Sequence, residues 1–399
     1  MHARDDILPS ITSELEEMGL NPPDFGNSNF SLMDEFAKNK GKHVNKEKKK
    51  VMLLVDGLGY DTVEKAVARD EKISKFIERN TLEKMSTVFP SFTPSVIISL
   101  NSGLEVGQHG IIGNFFFKGY GAMINPFKIS WLPSKNEVDG VAPEIMPRPA
   151  NLEKIKKRGG FVYAMRDEVL RKETNSDFLS DCEVLPHTGN EDLFVGIERL
   201  LRRKNCDFIY AYTDALDHFS HSYSKTSEET VRLTARLFRD IMELEEKLKE
   251  ANAELFVFSD HGQVVFKDSD IERIGWKDKF LDFLEMPVFG NSRSFYMKII
   301  DGKEKAFEDY FEKKYSKKAA LFDTNELIKA GIFGKKKLPE FARFNLGDKT
   351  AITKDNAYFS FAKYGEENHT NKNKYNSENI GTHGGMSHEE MEIPLLKVG

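Results

Sequence analysis

Apolar residues run without a break at Val51–Val55, Phe208–Tyr212 and Leu255–Phe258. Runs this short, without alternation, predict strands covered on both faces of a sheet. Between them the apolar period changes. Within residues 227–250, Leu233, Leu237, Ile241, Leu244 and Leu248 recur at three- and four-residue steps, which predicts a long helix with one buried stripe. Shorter helical patterns lie at Asn151–Arg158 and at 192–203, and Gly159-Gly160 leads into a strand at Phe161–Met165. Strands that alternate with helices predict an α/β fold with a mainly parallel central sheet.

Three stretches depart from that rhythm. Residues 1–50 read as a peripheral segment, with a short helix from a Ser10 cap through Met18 ended by Gly19. Residues 115–150 are rich in Phe, Gly, Asn and Pro and predict a surface excursion. Residues 263–380 predict a smaller inserted cap: a strand at Arg293–Ile299, an amphipathic helix at Lys303–Tyr315, a helix at Asn325–Ala330 stopped by Gly331, and a polar loop at Glu366–Asn379. The catalytic core then spans 51–262, and 381–399 returns to it.

Composition narrows the function. The chain has 399 residues, and 64 acids against 58 bases give a net charge of -6. So mild an excess offers no footprint for nucleic acid or an anionic membrane. Cys182 and Cys206 stand in no ligand spacing and predict buried thiols. No stretch approaches the roughly 20 apolar residues of a membrane span. MHARDDILPS carries acids where a signal peptide carries bases, so the expected location is cytoplasmic.

The chemistry gathers at strand ends. Asp56 follows Val55 directly, Asp260 and His261 follow Phe258, and Asp217 and His221 lie just beyond Tyr212. In open α/β sheets ligands bind outside the carboxyl ends of strands, so these patches are expected to face one edge. Asp217 and His221, four residues apart, share a helical face; Asp214 and His218 do so equally well. His383, in GTHGG, brings the imidazoles to three against three carboxylates, the complement that two adjacent divalent cations need. Such a pair, about 4 Å apart, clamps the attacking and leaving oxygens of an in-line displacement. Oxygen and nitrogen donors without thiolates suit zinc, with manganese as the alternative. Thr93 precedes Pro94 and is expected to be the N-cap of a helix through Ser102, ended by Gly103, with its hydroxyl at the positive end of the helix dipole. His109 reads as a packed structural histidine.

Six ordered motifs carry a resemblance. DGLG at 56–59, FPSFT at 89–93, GLEVGQHGIIGN at 103–114, LDHFSH at 216–221, SDHG at 259–262 and HGGMSHEEMEIPL at 383–395 together resemble the alkaline phosphatase superfamily. The type I phosphodiesterase/nucleotide pyrophosphatase branch is the nearest in pattern. The resemblance implies a three-layer sandwich and a hydrolase of phosphodiester or nucleotide pyrophosphate bonds. It implies that Asp56, Asp260 and His261 hold one metal with Thr93 as nucleophile, and that Asp217, His221 and His383 hold the other. Asn114 would donate to a phosphoryl oxygen. The substrate implied is a small nucleotide-like phosphate ester. A phosphomonoesterase or phosphonate hydrolase is the alternative within the superfamily. Ser220 departs from the glycine common in the branch. Pro94 stands where the monoester phosphatases carry Arg.

Overall fold

The unbroken apolar runs form the middle of one seven-stranded sheet. In chain order its strands are β1 (Lys49–Val55), β2 (Thr81–Ser86), β3 (Phe161–Arg166), β4 (Glu183–His187), β5 (Phe208–Thr213), β6 (Ala253–Phe258) and β7 (Glu392–Val398). Their spatial order is β2-β7-β6-β1-β5-β3-β4. β1 pairs in parallel with β5 and β6, and β3 with β4 and β5, whereas β7 runs antiparallel to both β2 and β6. This computed structural model describes residues 8–117, 122–125, 130–132, 147–166, 182–361 and 379–399.

Side chains alternate across β1, which explains why the whole run is apolar. Met52 and Leu54 enter one core; Val51, Leu53 and Val55 enter the other. The second core is closed by the helices Tyr60–Arg69, Asn190–Leu201 and Glu228–Glu250, through residues such as Val63, Ile197, Leu237, Ile241 and Leu244. The first lies under the helices Leu8–Glu17, Asn29–Lys38, Thr93–Ser102 and Ala150–Lys156. Helices on both faces of a mainly parallel sheet make the expected three-layer α/β sandwich.

Two sequence expectations change here. The segment before β1, read as peripheral, places Leu15, Leu32, Met33 and Phe36 in the main core. Burying one such side chain contributes about 1.5–3 kcal/mol. The helix expected from Ser10 is present as Leu8–Glu17, and polar linkers and the lysine run before β1 mask a second, Asn29–Lys38. Within 115–150, Phe115–Phe117, Ala122–Asn125 and Ser130–Leu132 form a three-stranded antiparallel meander; the remainder up to Pro147 lies outside the described residues.

The 263–380 region holds a separate four-stranded antiparallel sheet, ordered Phe289–Gly290, Ser294–Met297, Lys349–Thr353 and Ala319–Asp323. The helix Glu304–Tyr315 packs Phe307, Phe311 and Tyr315 against Phe280, Phe295 and Phe359 in its own core. The third element predicted there is the helix Thr324–Lys329. The polar loop 366–379 lies, Asn379 apart, outside the described residues. Among the described residues no helix is long and apolar enough to cross a membrane.

Candidate active site

Register brings the first ligand candidates together. Val55 lies opposite Thr213 and Leu54 opposite Phe258, so β1, β5 and β6 end side by side. The chain leaves β1 at Asp56 and reaches Asp260 and His261 just past β6. Gly57, at a positive φ of 76°, makes the turn; a Cβ there would sit 3.0 Å from the Asp217 backbone. Ser259 ties the exits together, donating to Val55 O at 2.7 Å while its hydroxyl accepts from Leu58 N. Asp260 Oδ1 accepts from Gly57 N at 3.1 Å and from His261 N at 3.0 Å.

His261 Nε2 is the focus of this half. It lies 3.4 Å from Asp56 Oδ1, 3.3 Å from Asp260 Oδ2 and 2.9 Å from Thr93 Oγ1. Thr93 is buried and begins the helix Thr93–Ser102. It is the first helical residue, not the N-cap: Phe92 is still extended (φ -125°, ψ 124°), and the Thr93 hydroxyl turns to His261 instead of back to the helix.

The second half rests on the helix Ala215–Tyr223 and on the loop before β7. His221 Nε2 lies 3.3 Å from Asp217 Oδ1, and His383 Nε2 lies 3.8 Å from the same oxygen. Asp217 also stands close enough to Asp56 and His261 for one ion to contact all three, so it joins the halves. The His383 and His261 rings stack at 3.6 Å between centroids. The other helical pair does not join them. The His218 side chain is 67% exposed and turns back toward Asp214, with Nδ1 3.0 Å from Asp214 O.

Two observations test whether these residues suit cations. Each imidazole points Nδ1 at a backbone carbonyl: His221 at Gly381 O (2.9 Å), His261 at Gly262 O (3.0 Å) and His383 at Ser91 O (3.0 Å). A carbonyl only accepts, so the proton sits on Nδ1 and the Nε2 lone pair is directed into the cluster, the arrangement metal-binding histidines use. Asp56 Oδ1 and Asp260 Oδ2, both buried, have no hydrogen-bond partner. Buried carboxylate oxygens are costly unless paired or coordinating. The residues present therefore fit divalent cations.

The electrostatics agree. Burial, then the neighbouring Asp260 and Asp217, pushes Asp56 well above the usual carboxylate range. Burial and Asp217 raise Asp260 to about 6. Burial opposes ionisation of Asp217 too, but His221 and His383 outweigh it and hold its carboxyl down. Burial lowers His261 to about 4, and burial with the adjacent His261 lowers His383 to about 3. Burial opposes the charge on His221 as well, but Asp217 outweighs it and raises that imidazole. Two carboxylates pushed up and two imidazoles pushed down in one buried cluster are what a pair of dications relieves.

Two further residues named from the sequence make no hydrogen bond to the cluster among the described residues. Asn114 pairs its main chain with Gly290 of the smaller sheet, donating at 2.9 Å and accepting at 2.7 Å; among the described residues its side chain makes no hydrogen bond to the cluster. His109 is buried between Ser99 Oγ at 2.8 Å and Ile111 N at 3.1 Å, and burial lowers it to about 3, as suits a structural histidine.

Sequence reasoning missed the supporting residues. Tyr212, the penultimate residue of β5, donates to Asp56 Oδ2 at 2.5 Å. Gln263 Nε2 donates to Asp217 Oδ1. Asn29 Nδ2 donates to Ser259 O at 3.0 Å. Ser91 accepts Gly384 N at 3.2 Å and donates to Gly385 O at 2.8 Å. Ser91 and Ser259 sit inside motifs already noted; nothing local to Asn29 marks it.

Comparison with known proteins bears on the fold and the family. No curated protein matches the sequence significantly. Among solved structures, phosphonoacetate hydrolase from Sinorhizobium meliloti, in complex with phosphonoacetate, is similar with a TM-score of 0.63 at 16% identity, over 87% of this chain and 89% of that one. Murine ectonucleotide pyrophosphatase/phosphodiesterase 5 is similar with a TM-score of 0.61 at 16% identity, over 88% of each chain. An inactive threonine-to-alanine form of the murine protein, in complex with AMP, is similar with a TM-score of 0.59 at 16% identity, over 88% of this chain and 87% of that one. At such identity the likeness shows the fold. The model of the type I phosphodiesterase/nucleotide pyrophosphatase family matches residues 50–386, most of the sequence, and the chain belongs to that family.

Proposed function

We propose that this chain hydrolyses phosphodiester or nucleotide pyrophosphate bonds of a small nucleotide-like substrate, with Thr93 as the nucleophile. The observation that carries the reading is the buried Thr93 hydroxyl, 2.9 Å from His261, beside a cluster of three carboxylates and three imidazoles. Asp56, Asp260 and His261 would hold one divalent cation next to Thr93; Asp217, His221 and His383 would hold another. Bound there, zinc or manganese would lower the Thr93 hydroxyl pKa and neutralise charge on the phosphoryl and leaving oxygens.

The chain's own residues supply the rest. Thr93 Oγ1 forms the new bond to phosphorus as the bond to the leaving oxygen breaks, giving a phospho-threonine. Water then attacks phosphorus, the bond to Thr93 breaks, and the hydroxyl is restored. The backbone N–H groups of Thr93 and Ser95, which flank Pro94 at the start of the Thr93–Ser102 helix, and the Asn114 side chain donate to the non-bridging oxygens. A threonine-to-alanine change gives an inactive form of the murine neighbour, which supports a threonine as a catalytic group in this fold.

Thr93→Ala tests the nucleophile. Turnover of bis(p-nitrophenyl) phosphate should fall by about 10⁴-fold or more while zinc still binds. Wild-type rates in that variant would overturn the assignment. Phosphonoacetate and p-nitrophenyl phosphate, assayed beside the diester, measure the alternatives; faster turnover of phosphonoacetate would favour the phosphonate hydrolase that the Sinorhizobium meliloti neighbour represents.

A further inference from the structure

The loop that carries His383 is gripped from the smaller sheet. Arg293, beside the strand Ser294–Met297, and Glu390, seven residues past His383, are both fully buried. Arg293 Nε donates to Glu390 Oε1 at 3.0 Å and Nη2 to Glu390 Oε2 at 2.8 Å, a two-point pair; Nη1 donates to Ala357 O. The same carboxylate then accepts from the His383 loop: Gly385 N at 2.8 Å to Oε1, with Ser387 N at 3.1 Å and Ser387 Oγ at 2.7 Å to Oε2. Glu390 is thus a junction whose charge Arg293 neutralises and whose oxygens fix the backbone two residues beyond His383.

The neighbours of Arg293 hold the loop directly. Ser294 Oγ donates to Gly384 O at 2.7 Å, and Asn291 Nδ2 donates to the same oxygen at 3.2 Å. Asn291 Oδ1 accepts from Arg293 N at 2.8 Å and Ser294 N at 2.9 Å, which locks its amide. Close packing leaves no slack. A Cβ on Gly384, already at φ 110°, would sit 2.6 Å from Asn291, and one on Gly385 would sit 2.7 Å from Glu390. On the far side, Ser91 O takes His383 Nδ1. Glu390 O also accepts Gly262 N at 2.9 Å, beside His261.

From this network we infer that Arg293, with Asn291 and Ser294, is a positioning residue: the smaller sheet sets where His383 stands, and so whether the Asp217–His221–His383 side binds its cation. The inference rests on the two-cation reading above. Arg293 does not contact the cluster. It acts through Glu390 and the Gly384–Gly385 backbone.

Zinc titration of the full-length apoprotein by calorimetry, with bound zinc counted after dialysis, tests this. Wild type should hold two ions per chain; one ion or none would sink the two-cation reading itself. Given two, Arg293→Met should lose about 10–100-fold in affinity for one ion while the other is unchanged. Arg293→Lys, which keeps the charge, should recover part of that loss. Two ions bound at wild-type affinity by folded Arg293→Met would overturn the inference. If that variant does not fold, Asn291→Ala/Ser294→Ala keeps both side chains of the ion pair and removes the side-chain bonds to Gly384, along with those of Asn291 Oδ1 to Arg293 N and Ser294 N. It should weaken the same ion, and unchanged affinity there would overturn the inference equally.

Discussion

The two halves of the cluster are built differently. Asp56, Asp260 and His261 stand on the exits of two adjacent parallel strands, with side chains 0–4% exposed. Asp217, His221 and His383 stand on a nine-residue helix and a distant loop; Asp217 is 13% exposed and His221 41%. The first half inherits its geometry from sheet register. The second is assembled from two elements, and each of its three side chains has its own fastening: Gln263 to Asp217, Gly381 O to His221, Ser91 O to His383. One half is thus fixed by register, and the other by separate contacts that can be removed one at a time.

That contrast can be broken by experiment. The largest effect is expected at the half fixed by register. Asp260→Ala should cut diester turnover by about 10³-fold or more, without recovery in excess zinc, because several kcal/mol of charge stabilisation goes with it. His221→Ala should cost less and recover in excess zinc, since its side chain is the most exposed of the six. Zinc-dependent rate curves of the two variants distinguish the halves, and equal, unrescued losses would remove the contrast.

Next in size is the buried ion pair. Arg293→Met should lower unfolding free energy by about 3–5 kcal/mol, read by urea denaturation, because Glu390 is left charged and unpaired in the interior. The pair also has a pH signature. Burial alone would raise Glu390, but Arg293 outweighs it and holds the carboxyl down to about 2 from an ordinary 4.5. Its contribution is therefore complete above about pH 4.5 and disappears as pH falls toward 2. The stability gap between wild type and Glu390→Gln should narrow across that window, and a gap that stays constant would argue against the pair. Smallest of all, His218→Ala should leave turnover within about twofold, since an exposed side chain away from the cluster has little to lose. A large loss there would reopen the choice between the two helical pairs.

Legibility in the sequence followed the same division. β1, β5 and β6 announced themselves because burial on both faces removes polar residues, so Asp56, Asp260 and His261 could be tied to one edge by fold class alone. The helical pair could not be chosen from spacing, because Asp214/His218 and Asp217/His221 are equivalent by period. Only the turn of the helix against the strand Asn379–Thr382 separates them. Thr93 was foreseen at a helix start, but the exact starting residue depends on where its hydroxyl finds a partner. Arg293 and Glu390 were invisible as a pair, since nothing in a linear chain couples residues nearly a hundred positions apart. Asn29 was hidden for a like reason: its value lies in reaching the Ser259 carbonyl across the core.

The place of β7 between β2 and β6 has an effect on how the chain matures. β2 touches the sheet only through β7, which is inserted between it and β6. Residues 81–86 thus wait for partners synthesised roughly 300 positions later, a very non-local closure of the kind that slows folding. The same late strand brings the His383 loop to the carboxyl edge. A ribosome-bound nascent chain can therefore pair β1 with β5 and β6 well before it can complete the cluster, so catalytic competence should emerge as one of the last events of folding.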